Sequence, residues 1–232
     1  MSLILHIETA TDVCSVALAK NAKILSIVES SGVYHHAENL TGYIRKVLDE
    51  ATVSFKELSA VAVSIGPGSY TGLRIGLSTA KGMCYAGKIP MITVSTLDNM
   101  AEGMRMKLQE KLSKDHFLCP MIDARRMEVY LALYDGKLNP LLKPVPKVID
   151  EKSIHDLLLD RTIFVGGNGA GKCKTFIEMY PNATYLDNVY PSAQYMIPIA
   201  YNAYINSNFE DIAYSQPLYL KEFKAGTPKK LF

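Results

Sequence analysis

Ile7-Glu-Thr-Ala-Thr-Asp-Val-Cys-Ser-Val-Ala-Leu18 can be laid without a gap over Ile122-Asp-Ala-Arg-Arg-Met-Glu-Val-Tyr-Leu-Ala-Leu133. The isoleucine, the acid, the apolar positions and the closing Ala-Leu coincide. Each copy reads as a strand ending in an acid, a hairpin and a second strand. A repeat of this kind inside one chain points to duplication. It makes the fold two α/β lobes on one plan, 1–112 and 113–232, with the boundary near residues 113–117. The chain of 232 residues is long enough for both.

Outward from the first copy, residues 3–7, 13–19 and 24–29 are short apolar or alternating runs separated by turn residues, and they read as an antiparallel meander. Residues 37–51 read as a helix with one apolar stripe, Leu40, Ile44, Val47, Leu48 and Ala51, and Tyr43 at its edge. Residues 60–65 and 90–94 read as strands. Ser95 is expected to cap a helix reaching about 112, with Asp98 as its capping-box acid. In the second lobe, 140–146 reads as a proline-interrupted connector or edge strand, 153–159 as a short helix, 162–165 and 185–187 as strands. Ser192 is expected to cap a helix to about 206, and Leu218-Tyr-Leu220 to close the fold.

Ser64-Ile-Gly-Pro-Gly-Ser-Tyr-Thr-Gly-Leu-Arg-Ile-Gly76 reads as the end of a buried strand, a tight turn and the start of a helix. Gly permits positive φ, Pro presets φ, and Ser69 or Thr71 can cap the helix. Such a unit either holds an anion at the helix start or is simply a close turn. The helix, 72–86, is apolar or small over two faces. One carries Leu73, Leu77, Ala80 and Cys84, the other Ile75, Gly76, Thr79, Met83 and Ala86; only Arg74, Ser78, Lys81 and Tyr85 form a polar strip. A surface helix needs one apolar stripe, so this helix is expected to be covered twice, by its own core and by another chain.

The net charge of +2 implies no general polyanion-binding field, and a basic cluster in the tail, Lys221, Lys224, Lys229 and Lys230, reads as a solvated end. Four cysteines lie far apart with no Cys-x-x-Cys, which speaks for a reducing cytosol and against a disulfide framework. No apolar run reaches the length of a membrane span and no signal peptide opens the chain. A cytoplasmic protein without a membrane partner is expected.

Gly166-Gly-Asn-Gly-Ala-Gly-Lys-Cys173 approaches the phosphate-loop pattern Gly-x-x-x-x-Gly-Lys-Ser/Thr, but Cys173 lacks the hydroxyl that binds magnesium. Glu8 and Asp123 are expected to end equivalent strands and to face a cleft between the lobes, where paired acids can position magnesium and phosphates. Arg125 and Arg126 can neutralise Asp123 instead. The adjacent His35 and His36 point opposite ways in an extended segment, and no His-x-x-x-His occurs, so no metal site is expected.

Together Ile7-Glu-Thr-Ala-Thr11, Cys14-Ser-Val-Ala-Leu18, Gly66-Pro-Gly-Ser-Tyr-Thr-Gly-Leu-Arg74, Pro90-Met-Ile-Thr-Val-Ser-Thr-Leu97, Ile122-Asp-Ala-Arg125 with Glu128-Val-Tyr130, and Gln216-Pro-Leu-Tyr-Leu-Lys221 resemble the bacterial TsaB (YeaZ) family over most of the chain. The resemblance implies an actin/Hsp70/sugar-kinase-like (ASKHA, ribonuclease H-like) fold. It implies a role in placing threonylcarbamoyl on adenosine 37 of tRNAs that read codons beginning with A. There this subunit pairs with a catalytic paralogue, TsaD, joined by the ATPase TsaE, with TsaC supplying the donor. The family usually has Asp where this chain has Glu8. The catalytic paralogue has His-x-x-x-His where this chain has Thr96 and Met100, poor metal ligands.

The implied reading is a non-catalytic partner subunit needing no cofactor. Its interface is expected at Leu40, Tyr43, Ile44, Val47, Gly72, Ile75, Gly76, Thr79 and Met83, a surface a second copy of the chain can use when the partner is absent. A remnant nucleotide cleft, binding ATP weakly, is expected at Glu8, Thr9, Asp123, Gly166 and Gly167; in actin-like folds the Gly-Gly turn packs against adenosine. The competing readings are a free-standing ATP-dependent enzyme of the small-molecule kinase type and a metallopeptidase, whose ligands the chain lacks.

Overall fold

A computed structural model describes residues 2–31, 36–158 and 161–221. His35, and with it the reading of the histidine pair, lies outside them, as do Lys224, Lys229 and Lys230 of the tail cluster.

The first sheet takes β1 (Leu3–Glu8), β2 (Val13–Lys20), β3 (Lys23–Ser31), β4 (Ala60–Gly66) and β5 (Met91–Ser95) in the order β3-β2-β1-β4-β5. The second takes β6 (Phe117–Asp123), β7 (Glu128–Asp135), β8 (Pro140–Val148), β9 (Ile163–Gly166) and β10 (Ala183–Leu186) in the order β8-β7-β6-β9-β10. In each, a three-stranded antiparallel meander continues into two parallel strands. The duplication read from the repeat is therefore present in the topology. β1, β2 and β4 are buried along nearly their whole length, as central strands covered on both faces must be.

Two helices cover one face of the first sheet: α1 (His36–Glu50) and α2 (Tyr70–Gly87). Leu40, Ile44 and Val47 from α1 and Leu77, Ala80 and Cys84 from α2 meet Leu5, Ile7, Val16 and Val63 there. Helix α3 (Thr96–Leu108) leaves the first sheet but buries Leu97, Met100 and Met104 among Leu118, Ile122 and Ala132 of the second. On the second sheet's other face lie α4 (Glu151–Leu158) and the short α5 (Lys174–Ile177). The last helix, α6 (Ile197–Ile205), returns to the first sheet with Met196 and Ala200 against Ile4, Ala60, Ala62 and Ile92. Each half of the chain thus lends a helix to the other half's sheet.

The capping expectations fare unevenly. Ser69 caps α2 by accepting from Gly72 N at 3.2 Å. At α3 the expectation is corrected: Ser95 makes no cap bond and its hydroxyl is buried without a partner, while Asp98 accepts from the Tyr134 hydroxyl. Helix α6 begins five residues after Ser192, whose hydroxyl donates to Glu29 across the fold instead.

The repeat also needs a correction of register. Glu8 pairs with Ser15, but Asp123 pairs with Val129, the counterpart of Cys14 rather than of Ser15 in the gapless alignment. The second hairpin is one residue tighter. Consequently Cys119 and Met121 face the helix-covered side with Val129 and Leu131, as Leu5 and Ile7 do with Cys14 and Val16. The structural counterpart of Glu8 is Ile122, and that of Asp123 is Thr9. A one-residue slip exchanges the two faces of a strand, so the two acids do not end equivalent strands on one cleft.

Candidate functional site

Glu8 sits on the inner face of β1 and is fully buried. Its carboxyl accepts from Ala10 N at 2.7 Å, Ser64 Oγ at 2.8 Å and Asn99 Nδ2 at 2.5 Å. Burial pushes its pKa up to about 7, against the pull of these donors. The Asn99 side chain in turn accepts from Ser192 N at 3.4 Å, so Glu8 is tied through α3 to the segment leading into α6. Thr9, next in line, is also buried; its hydroxyl donates to Gly72 O at 2.8 Å.

Asp123 lies at the surface, where Lys172 Nζ stands 2.5 Å from one carboxylate oxygen. Lys172 also donates to Glu128 O at 3.0 Å. The lysine of the phosphate-loop-like stretch therefore serves its own lobe. Gly166 packs on Val189, and Gly167 packs on Met121 O and the Met100 methyl; a side chain at either would collide with them. Gly167 needs its φ of +114°, which L side chains rarely adopt. The crevice beside this turn, lined by Gly103, Val189, Tyr190 and Tyr195, holds about 20 Å³. That is room for one water, not for adenine.

These facts correct the expected cleft. The structure does not bring Glu8, Thr9, Asp123, Gly166 and Gly167 to one open site. Glu8 and Thr9 are sealed under α2 and α3, and the Gly-Gly turn is packed against Val189 and against Met100 of α3. Thr96 and Met100, at the positions where the catalytic paralogue carries its histidines, are both buried. Among the described residues, no group of three His, Cys, Asp or Glu side chains could hold a metal ion.

The expected partner surface is also redrawn. Leu40, Ile44 and Val47 are core residues of the first lobe, and so are Gly72 and Gly76. A Cβ on Gly72 would meet Thr9 O, and one on Gly76 would meet Thr9 Oγ1. Both glycines exist to let α2 approach the end of β1, not to admit a partner. Tyr43 turns to the sheet edge, its hydroxyl donating to Ser30 Oγ at 2.8 Å. Ile75, Thr79 and Met83 keep part of their surface outside. Beside them Gly82 stands exposed with nothing within 4 Å of an added Cβ. Sequence reasoning missed this glycine as the open one, because helical periodicity shows which residues share a face but not which face meets Thr9.

It places Leu218-Tyr-Leu220 at the closure of the fold but missed the rest of the strap that follows α6. Glu210 N donates to Met91 O at 2.9 Å and Leu218 N to Ile65 O at 2.7 Å, which closes the edge of β5 and the Gly-rich turn. Tyr219 stacks on Tyr70 at 5.2 Å, and Lys221 reaches Glu128 of the second lobe.

The two sheets, their shared strand order and the helices between them define an α/β protein of the actin/Hsp70/sugar-kinase class. A solved activator of 2-hydroxyisocaproyl-CoA dehydratase from Clostridium difficile shares the fold at TM-score 0.50 and 9% identity, over 89% of this chain and 96% of that one. Within the class, a family profile described as TsaD, tRNA N6-adenosine threonylcarbamoyltransferase, matches residues 23–155. The tRNA threonylcarbamoyladenosine biosynthesis protein TsaB of Buchnera aphidicola subsp. Schizaphis graminum is 31% identical over 86% of this chain and 93% of its own length. That of the Acyrthosiphon pisum subspecies is 36% identical over 60% of this chain, spanning 61% of its own length. The crystal structure of YeaZ from Pseudomonas aeruginosa superposes with TM-score 0.77 at 26% identity, over 95% of this chain and all of that one. The chain belongs to the TsaB (YeaZ) family.

Proposed function

We propose that this chain is the non-catalytic partner subunit of the assembly that installs N6-threonylcarbamoyl on adenosine 37 of tRNAs reading codons that begin with A. Its partner is the catalytic paralogue TsaD, with the ATPase TsaE and the tRNA joining the complex. Its surface for TsaD is the outward flank of α2.

The observation that carries this reading is the state of that flank. Ile75, Thr79 and Met83 are half-covered by their own lobe, and Gly82 is exposed in mid-helix, where it costs about 1 kcal/mol against alanine with no return inside the chain. A small, partly apolar helix flank lets a second helix approach closely. The family profile named for the catalytic paralogue spans α1, α2 and α3, so the paralogue has counterparts of the same helices to offer. A stable interface takes about 800 Å² from each side, and apolar area covered there contributes about 25 cal/mol per Å². The sealed Glu8, the Lys172–Asp123 pair and the filled Gly-Gly turn support a chain that needs no cofactor of its own. In the absence of the paralogue, a second copy is the natural occupant of the flank.

The test is reconstitution from purified TsaD, TsaE, TsaC and an unmodified tRNA, with nucleoside mass spectrometry as readout. Modified adenosine is expected only when this chain and TsaD are both present. Modification by this chain without TsaD, or full activity of TsaD and TsaE without it, would overturn the proposal.

A further inference from the structure

The other flank of α2 is chemically unlike the first. Along its 18 residues α2 carries Arg74 and Lys81 and no Asp or Glu. The Arg74 guanidinium lies 4.0 Å over the Tyr70 ring, and its Nε donates to the Tyr219 hydroxyl at 3.0 Å. It has no carboxylate partner among the described residues. Lys81 Nζ reaches Ala213 O at 3.4 Å, and one turn further Tyr85 is 82% exposed. Tyr214, beside Ala213, is equally exposed at 82%. From Arg74 to Tyr85 is about 16 Å along the helix axis at 1.5 Å per residue.

The strap carries this edge into the second lobe. Lys221 pairs with Glu128 and lies 5.8 Å from the centre of the Tyr130 ring. At the neighbouring hairpin turn Arg125 and Arg126 are exposed, and neither side chain has a carboxylate partner among the described residues. The acids nearby are engaged. Asp123 is held by Lys172 and Glu128 by Lys221. Glu210 accepts from Thr93, and Asp211 from the Ala213 and Tyr214 N–H groups.

Guanidinium and ammonium groups without a carboxylate partner, alternating with exposed aromatic rings, are the chemistry that holds single-stranded nucleic acid. Phosphates meet the cations, and bases stack on the rings. We infer that the edge formed by Arg74, Lys81, Tyr85, Tyr219, Arg125 and Arg126 is a contact surface for a single-stranded RNA loop. About 16 Å of helix matches about five nucleotides at the 3.4 Å spacing of stacked bases. The inference rests on the tRNA reading above, and it places part of the RNA contact on this chain itself rather than on the catalytic paralogue. Arg74, Tyr70 and Tyr219 also pin the strap to α2, so the test uses residues outside that stack.

The experiment is fluorescence anisotropy of the full chain with a labelled 17-nucleotide RNA stem-loop, titrated at several salt concentrations, with a blunt RNA duplex of equal length as comparison. The stem-loop is expected to bind more tightly than the duplex. Four phosphate contacts would give a log–log salt slope of about −3. Tyr85→Ala should weaken binding about tenfold with the slope unchanged. Arg125→Glu with Arg126→Glu should reduce the slope by about 1.4. Each variant is also run on gel filtration with TsaD, where co-elution should persist. Equal affinity for duplex and loop, or wild-type affinity in both variants, would overturn the inference. Absence of RNA binding in a chain that still co-elutes with TsaD would sink this inference and leave the partner reading standing. Loss of TsaD binding in these variants would assign the edge to the protein interface instead.

Discussion

Replacing Gly76 by alanine tests the contact that sets α2 against the end of β1. An added Cβ would lie 3.5 and 3.6 Å from Thr9 Cβ and Cγ2, ordinary distances, but well inside contact of Thr9 Oγ1. That oxygen is held by its 2.8 Å bond to Gly72 O, inside a buried residue. Two responses are open. Thr9 can rotate and lose the bond, which leaves buried polar groups unsatisfied at about 1–3 kcal/mol. Or α2 can shift outward, an overpacking strain of about 1–3 kcal/mol. Alanine returns about 1 kcal/mol of helix propensity. The net expectation is a loss of up to about 2 kcal/mol, a fall in Tm of up to roughly 8 °C for a chain of this size. Gly82→Ala is the control: nothing lies within 4 Å, so it should stabilise by up to about 1 kcal/mol. Thermal melts followed by circular dichroism read both. Combining Thr9→Ala with Gly76→Ala should remove the collision and show coupling of about 1 kcal/mol between the sites. If Gly76→Ala stabilises as Gly82→Ala does, or the pair is additive, the close approach of α2 to Thr9 is wrong.

Two buried groups give stability opposite slopes with pH. Glu8 has its pKa raised from 4.5 to about 7, so its contribution is full below 4.5 and falls as pH rises through 7; His6, lowered by burial from 6.5 to about 4, contributes fully above 6.5 and loses as pH falls toward 4. The two oppose each other near pH 5–6, and Glu8→Gln should expose the His6 slope, shifting the pH dependence by roughly 3 kcal/mol across the range; parallel melting curves for the variant and wild type would contradict this. Lys172→Ala should cost about 1–2 kcal/mol, since the lysine is mostly buried and also donates to Glu128 O, and calorimetry with ATP should show no micromolar site for it to abolish. Such a site, lost in Lys172→Ala, would restore the phosphate-loop reading. Tyr219→Ala should loosen the strap, read as faster proteolysis after Phe209 or Tyr214 with little change in Tm; unchanged cleavage would mean that the backbone bonds at Met91 and Ile65 hold it alone.

What the sequence reveals and what it hides divide along physical lines. The meander, the α1 stripe and the strand–turn–helix at Gly66 follow from local periodicity and turn chemistry, and each stands in the structure. The duplication is legible because repeated strands keep their apolar positions. The tighter second hairpin is not legible, since a gapless alignment scores the same residues whether or not their backbones pair in register. That single residue puts Glu8 on the face of Ile122, where both are buried, and sets the exposed Asp123 at the place of Thr9, which α2 buries in the first lobe. Helix 72–86 shows two apolar faces in sequence, but small residues on a helix look alike whether they admit Thr9 or a partner. Gly76 proves to be the first kind and Gly82 is left open. The exchange of α3 and α6 between sheets, and the strap that ends on Glu128, are contacts between residues far apart in the chain, which no local pattern records.

The central claim is that this chain acts by pairing with a catalytic paralogue through the outward flank of α2. Light scattering on an equimolar mixture with TsaD, for wild type and Gly82→Arg, tests it most directly. The substitution falls in open space, so the variant alone should melt at or above the wild-type temperature. Wild type is expected to elute with TsaD at one-to-one mass, and the variant to elute apart from it. A folded Gly82→Arg variant that still co-elutes with TsaD at full stoichiometry would contradict the account.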